Sequence, residues 1–340
     1  MDQIEVPVSQ IDATENIQTA MGAIALDDLG VVLSHEHLFI NLMRERRGDG
    51  LINDEALVID EVTSFVQQGG STIIDLTSAE LTEGALADAD PHHRTDVLGC
   101  TRDPANVLAI QRVSLATGVN VVLGTGRYRD PFIDRKLVDR AGVSGLAAEW
   151  VDDIERGFAD TGLRAGVIGE VGSDGWFISA IEERCLRAAA RAHHETGVPI
   201  YTHAARWEVG LAQLDLLEEC GVHPSRVAIG HVDTVPSVDY TLAVARRGAF
   251  VGLDTIYSAA LVPAVLERLQ ALVQAGHADQ VLLSHDVCVM SQLASRGGPG
   301  YGLVTGALRQ AALGTGAIDD DGYHHMLTAN PRRLLQRGTG

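Results

Sequence analysis

Residues of the types that bind divalent metals recur along the chain at His35, His37, Glu170, His203, His231 and Asp286. Imidazole nitrogens and carboxylate oxygens form the donor set of hydrolytic zinc, manganese and cobalt sites. The densest signal is Leu33-Ser34-His35-Glu36-His37, which follows the apolar Val31-Val32 and reads as the end of a buried strand. Side chains at i and i+2 of a strand leave the same face, so His35 and His37 project together and Glu36 points the other way. Such a pair is either half of a metal site or one core histidine beside one surface histidine. The pair by itself leaves both readings open.

The elements that must position these residues follow from the pattern of apolar runs. From residue 31, short strands alternate with helical patterns: Val31–His37, Ser71–Thr77, Asn120–Gly126, Ala165–Val171, Pro199–Ala204, Val227–Val232, Phe250–Asp254 and Val281–Asp286. Eight such units predict an α/β fold, a (β/α)8 TIM barrel. One domain over 1–340 is expected, with an N-terminal β-hairpin in 1–30, barrel strands over 31–286, and a C-terminal loop and helices in 287–340. The rival doubly wound sheet lacks its glycine fingerprint, because Gly124-Thr125-Gly126 runs on into Arg127-Tyr128 and reads as a strand-end turn.

The C-terminal strand ends of a barrel converge on one mouth, and the six residues sit at the ends of strands one, four, five, six and eight. The other histidines serve as a control. His193 and His194 lie in a helical pattern, His223 and His277 in turns, His324 and His325 in a polar C-terminal helix, and His92 and His93 in a loop. His285 adjoins Asp286, and alternation lets only one of them face the interior; Asp286 is assigned to it.

Composition narrows the partners. With 46 acidic against 26 basic residues, the formal charge of −20 repels nucleic acid and anionic membranes. No apolar run reaches spanning length. Cys100, Cys185, Cys220 and Cys288 are scattered and the N-terminus is polar, so reduced thiols, no leader and a cytoplasmic location are expected.

In order along the chain, Leu33-Ser34-His35-Glu36-His37-Leu38, Thr202-His203, Ile229-Gly230-His231-Val232-Asp233, Gly252-Leu253-Asp254-Thr255 and Leu283-Ser284-His285-Asp286 resemble the motifs of the phosphotriesterase family of the amidohydrolase superfamily. The likeness runs from about residue 16 to Leu335. It implies that His35, His37 and Asp286 bind one divalent ion and His203 and His231 a second. The strand-four residue, together with a hydroxide, would bridge the two. Zinc is the first expectation, with manganese and cobalt compatible with the same donors. Many members carry a carboxylated lysine on strand four; Glu170 in Ile168-Gly169-Glu170-Val171 supplies the same charge and two oxygens, as in the branch called phosphotriesterase homology proteins. The family tendency implies a homodimer.

Two metals sharing a bridging water lower its pKa and polarise a substrate carbonyl or phosphoryl oxygen, so hydrolysis of a small molecule is expected. Asp286 is placed as the acceptor of the proton from that nucleophile. Asp233 either carries the proton onward or forms a structural ion pair. Tyr128, Arg206 and Tyr257 should flank the mouth and bind substrate, and Arg127 and Arg206 suggest an anionic group on it. Thr255 stands where the resemblance puts a histidine in paraoxon-degrading members and an arginine in lactonases. Carboxylic esters or lactones rank first, ahead of N-acyl amides and phosphoesters. A mononuclear deaminase-type site should lack Glu170, and a non-catalytic barrel should lack ligands.

Overall fold

β-Branched and apolar runs form the strands, and amphipathic segments bounded by capping residues form the helices of the computed structural model. It describes residues 16–338 apart from residues 85, 87–93, 95, 98 and 100. His92, His93, Cys100 and residues 1–15 of the expected hairpin segment lie outside the described residues. An antiparallel hairpin of β1 (Asn16–Thr19) and β2 (Gly22–Ala25) leads into β3 (Val32–Glu36). A small antiparallel pair, β4 (Ile40–Asn41) and β5 (Leu51–Ile52), flanks the short α1 (Met43–Arg46) and precedes α2 (Glu55–Gln67). The remaining strands are β6 (Thr72–Asp75), β7 (Asn120–Thr125), β8 (Ala165–Gly172), β9 (Ile200–His203), β10 (Val227–Gly230), β11 (Phe250–Leu253) and β12 (Val281–Leu283). Helices α3 (Pro104–Thr117), α4 (Arg135–Glu155), α5 (Ala180–Thr196), α6 (Val209–Glu219), α7 (Val238–Arg246) and α8 (Val262–Gln274) alternate with them, and α9 (Arg309–Gly314) and α10 (Asp320–Leu335) follow.

The eight strands β3 and β6 to β12 pair in parallel in chain order, which is the expected (β/α)8 barrel. Helix α5 shows how local sequence sets an element. Ser179 accepts from the backbone of Glu182 while the Glu182 carboxylate accepts from the backbone of Ser179, and Gly197 ends the helix in the left-handed region. Its buried face carries Ile181, Cys185, Leu186 and Ala189. The same Glu182 carboxylate accepts the N–H groups of Asp130 and Asp174, which ties the loops after β7 and β8 to the helix start.

One residue parity of the strands packs inside the barrel. Val32, Ile74, Val122, Val167, Tyr201, Ala228, Phe250 and Leu282 form a cluster with Ile17 of the hairpin and Leu334 and Leu335 of α10. The opposite parity, including Leu33, Ile73, Leu123, Ile168, Ile200 and Leu283, packs against the helices. Simple alternation from Val32 would turn Ser34 inward and His35 outward. The register instead shifts between Leu33 and Glu36, and again between Ile168 and Val171, the stretch that contains Glu170. Such irregularities re-aim side chains beside active sites.

Strand ends also differ from the sequence expectation, which runs seven of the eight too far, among them the four that carry His37, His231, Asp254 and Asp286. These four stop at Glu36, Gly230, Leu253 and Leu283 rather than His37, Val232, Asp254 and Asp286. His231 and Asp286 have φ of 60° and 53°, values that no strand accommodates.

Glu36 does point away from the histidine pair, into the seam between β12 and β3. Its Oε1 accepts from Ser284 Oγ (2.8 Å), His285 N (2.9 Å) and His285 Nδ1 (2.8 Å), and its Oε2 accepts from Val287 N (2.9 Å). His285 Nε2 accepts the N–H of Val304 at 3.1 Å, so Nδ1 carries the proton and donates to Glu36. A fully buried carboxylate with four donors thus closes the barrel. Glu36→Gln, which turns an amide NH2 toward these donors, should lower unfolding free energy by roughly 1.5–3 kcal/mol in urea denaturation. A loss under about 0.5 kcal/mol would contradict this role for Glu36.

Candidate metal centre and active site

The register shift in β3 brings His35 onto the inner face, and His37 follows one residue beyond the strand. His203 ends β9, His231 follows β10, and the left-handed turns at His231 and Asp286 aim those side chains at the same point. His35, His37, Glu170, His203 and His231 are almost wholly buried, whereas Asp286 is partly open to the mouth. The six residues that the sequence scatters over 252 positions (286 − 35 + 1) therefore meet in space.

Their spacing is that of ligands around an ion. Glu170 Oε2 lies 2.9 Å from His203 Nδ1, 3.3 Å from His35 Nε2 and 3.4 Å from His231 Nε2, while Oε1 lies 3.8 Å from His37 Nε2. Asp286 Oδ1 is 3.3 Å from His37 Nε2 and 4.0 Å from His35 Nε2. Donor atoms about 2 Å from a tetrahedral ion stand about 3.3 Å apart. His35 Nε2 is buried without a hydrogen-bond partner, as a nitrogen meant for a metal would be. Two groups suit an ion, one of His35, His37 and Asp286 and one of Glu170, His203 and His231.

A third grouping, His35 and His231 with Asp254, has another purpose. Asp254 Oδ2 accepts from His35 Nδ1 (3.0 Å) and Tyr201 Oη (2.8 Å), and Oδ1 accepts from His231 Nδ1 (3.0 Å) and His231 N (2.8 Å). Each ring is thereby held in the tautomer that leaves Nε2 free for a metal. A Cβ on Gly252 would come within 2.5 Å of Asp254 Oδ2, so a side chain there would collide with the carboxylate. The sequence reading quoted Asp254 within a motif but gave it no part in the site. Its place four residues after the inward-facing Phe250, one residue past the end of β11, was the available signal.

Burial alone would lower the pKa of His35, but the Asp254 and Glu170 carboxylates outweigh it and raise it to about 10. His231 is raised by the same contest, with Asp254 foremost among the opposing groups. Burial pushes His203 down to about 4 despite its contact with Glu170. The Glu170 carboxyl is held well below its ordinary range because the adjoining histidines, His203 first, overcome its burial.

The mouth above these residues is lined by Tyr128, Arg129, Arg206, Thr255, Tyr257 and Cys288, among others. Tyr128 is buried against the His203 ring, with centroids 5.0 Å apart, whereas Arg206 and Tyr257 are exposed at the rim. Arg127 does not reach the mouth, contrary to the sequence reading. It is fully buried between Glu80 (3.3 Å) and Glu149, because the chain after β7 turns it outward beneath α4. Arg129, which the sequence reading passed over, lines the mouth with its guanidinium 4.9 Å over the Tyr128 ring and pairs with Glu45 and Asp174. Asp233 lies behind the mouth. Its Oδ2 accepts from Thr255 N at 3.0 Å, and burial together with Asp254 pushes its pKa up to about 6.

No lysine stands near Glu170. The chain contains one lysine, Lys136, exposed in the first turn of α4. The negative group between the two clusters is the carboxylate of Glu170 itself.

Comparison with known proteins gives this arrangement its relatives. A model of the Phosphotriesterase family matches residues 15–335. The phosphotriesterase homology protein of Escherichia coli is 33% identical over 319 residues, which cover 92% of this chain and 100% of that one. Its crystal structure, complexed with phosphate in the active site, superposes with a TM-score of 0.80 at 32% identity, covering 91% of this chain and 100% of that chain. An aryldialkylphosphatase of Saccharolobus solfataricus is 32% identical over 77% of this chain and 78% of its own length. A lactonase of Listeria monocytogenes has a TM-score of 0.81 at 25% identity, covering 95% of this chain and 100% of that chain. With buried imidazoles and carboxylates converging at the mouth of a (β/α)8 barrel, this chain belongs to the phosphotriesterase family and is a hydrolytic enzyme of the ester-cleaving kind.

Proposed function

We propose that the chain is a binuclear metal-dependent hydrolase of carboxylic esters or lactones. His35, His37 and Asp286 would hold one divalent ion and His203 and His231 the other, with Glu170 placed between them. The observation that carries this reading is the Glu170 carboxylate, which lies between the two clusters within 3.8 Å of a ring nitrogen of each of the four histidines. When bound, two divalent ions supply a hydroxide at neutral pH and polarise the substrate oxygen.

The chain's own residues perform the remaining tasks. Asp286, partly exposed where substrate enters, accepts the proton of the nucleophile at a carboxylate oxygen. Tyr128, whose pKa burial raises well above its ordinary value, stays protonated and can donate to the oxyanion that develops on the substrate. Arg206 and Tyr257 at the rim orient the rest of the substrate, and Asp254 keeps His35 and His231 in their ligating tautomers. Thr255 lines the mouth in place of both the histidine of the paraoxon-degrading branch and the arginine of the lactonase branch, which argues against either specialised activity and leaves carboxylic esters and lactones of another type ahead of phosphotriesters. The aryldialkylphosphatase relative supports a phosphoester reading as the second choice.

Elemental analysis of fully metallated protein, coupled to a panel of esters, lactones, N-acyl amides and phosphotriesters, tests the proposal. Two ions per chain and the highest kcat/KM on an ester or lactone are expected. A value near one ion sinks the binuclear reading, and a phosphotriester that outruns all others sinks the substrate ranking.

Asp286→Asn removes the proton acceptor while keeping a similar shape, and kcat should fall by about 10²–10⁴ at measured full metal occupancy. His285→Asn is the matched control, since that ring faces Glu36 and Val304 rather than the mouth; it should reduce stability far more than kcat.

Metal uptake should also release protons. His35 is held protonated up to about pH 10 in the metal-free cluster, and a ligating imidazole must be neutral, so an ion binding at pH 8 displaces that proton. Apparent affinity should rise with pH by about tenfold per unit for each proton released. Titration calorimetry in buffers of different ionisation enthalpy reads this directly, and proton-neutral binding at pH 8 would contradict it.

A further inference from the structure

His37 lies one residue past the end of β3 and outside the β3–β6 ladder, which ends at Glu36 and Asp75. What holds it is polar and comes from elsewhere. Its Nδ1 meets Thr77 Oγ1 at 3.0 Å. The N–H of the next residue, Leu38, donates to Asp75 Oδ2 at 2.8 Å, and the backbone N–H of Thr77 donates to Asp75 Oδ1 at 3.2 Å. One buried carboxylate thus fixes both the chain leaving His37 and the residue that touches its ring. That carboxylate is held in turn by Arg102, whose Nη2 donates to Asp75 Oδ1 at 2.7 Å and to Asn106 Oδ1 at 2.7 Å. Asn106 Nδ2 donates to the carbonyl of Phe39 at 3.0 Å, a second grip on the same stretch.

We propose that Arg102, Asp75 and Thr77 form a positioning relay that sets the ring of His37 and so tunes the His35–His37–Asp286 cluster more than the His203–His231 cluster, which this stretch reaches only through the Leu76 carbonyl that accepts the N–H of the shared Glu170 at 3.1 Å. Arg102 and Asp75 are both buried. Packing alone does not account for such a pair, because apolar residues of similar volume commonly hold a core as well or better. Geometry accounts for it: Nη2 of Arg102 donates to both Asp75 and Asn106 while Nη1 donates to the carbonyls of Asp75 (3.4 Å) and Gly124 (3.3 Å), so one planar guanidinium fixes both anchors of the Leu38–Phe39 backbone at once. Asp254 makes the contrast, since it contacts one histidine of each cluster and cannot act on one alone. Thr77 gives the Nδ1–H of His37 a neutral acceptor, whereas His35 and His231 each have a carboxylate. The relay therefore acts on His37 by placing its ring.

The proposal rests on the two-cluster reading above, and zinc release to a chromogenic chelator separates the two ideas. His203→Ala serves to assign the phases. In Arg102→Lys, which keeps the charge and loses the fork, the zinc held by His37 should leave about 10–100-fold faster, with the other phase changed far less. Thr77→Val should do the same, and Thr77→Ser should restore release toward the wild-type rate. Arg268→Met removes a buried arginine remote from His37, bonded to the carbonyls of Ala264 and Val235, and should leave the His37 phase unaltered. Circular dichroism checks folding of each variant.

Unchanged release from folded Arg102→Lys, or equal acceleration of both phases, overturns the relay. If Arg102→Lys does not fold, Thr77→Val with wild-type release, or Thr77→Ser no better than Thr77→Val, overturns it. A wild-type protein that binds one ion overturns the binuclear reading, and the relay then stands or falls on the release of that ion.

Discussion

Burying negative charge at the end of a barrel strand is costly unless donors converge on it, and the site depends on how Asp254 meets that demand. Its carboxylate takes four donors, two of them imidazole N–H groups at the ends of different strands and one the hydroxyl of Tyr201 from the barrel interior. Satisfying Asp254 therefore turns the Nε2 atoms of His35 and His231 toward Glu170. The aliphatic layer beneath, which includes Val32, Ile74, Val122 and Leu282, keeps water away from these groups. Fold stability and ligand orientation thus share one set of bonds.

The same principle recurs around the barrel with different members. Glu36 closes the seam between the first and last strands with four donors. Arg127 is locked between Glu80 and Glu149, and Glu80 also accepts the N–H of Tyr128. The loop that presents Tyr128 to the mouth is thereby anchored from below. Buried charge holds the strand ends where backbone ladders have stopped, and loops carry substrate-facing groups such as Arg206 and Tyr257 on that frame.

Much of this was legible in the residues themselves. Apolar runs of strand length alternating with capped amphipathic segments point to a parallel barrel, because each such segment has only one way to bury its apolar face. Histidines and carboxylates at the ends of those runs mark a common mouth because the topology puts every strand end on one rim. Strand alternation assigns Asp286 rather than His285 to the interior, and Asp286 does line the mouth, but a left-handed turn past the end of β12 aims it there.

What the sequence by itself determined was the list of elements and donor groups, since periodicity and side-chain chemistry are local properties of the chain. Only the tertiary structure decided the phase and the partners. The register shifts in β3 and β8, which are needed to turn His35 and Glu170 inward, arise from pairing with neighbouring strands. The burial of Arg127, the exposure of Arg129 to the mouth and the hold of Asp254 on two histidines depend on residues tens to hundreds of positions away. A buried charge finds its partner through space, and no spacing along the chain records that distance.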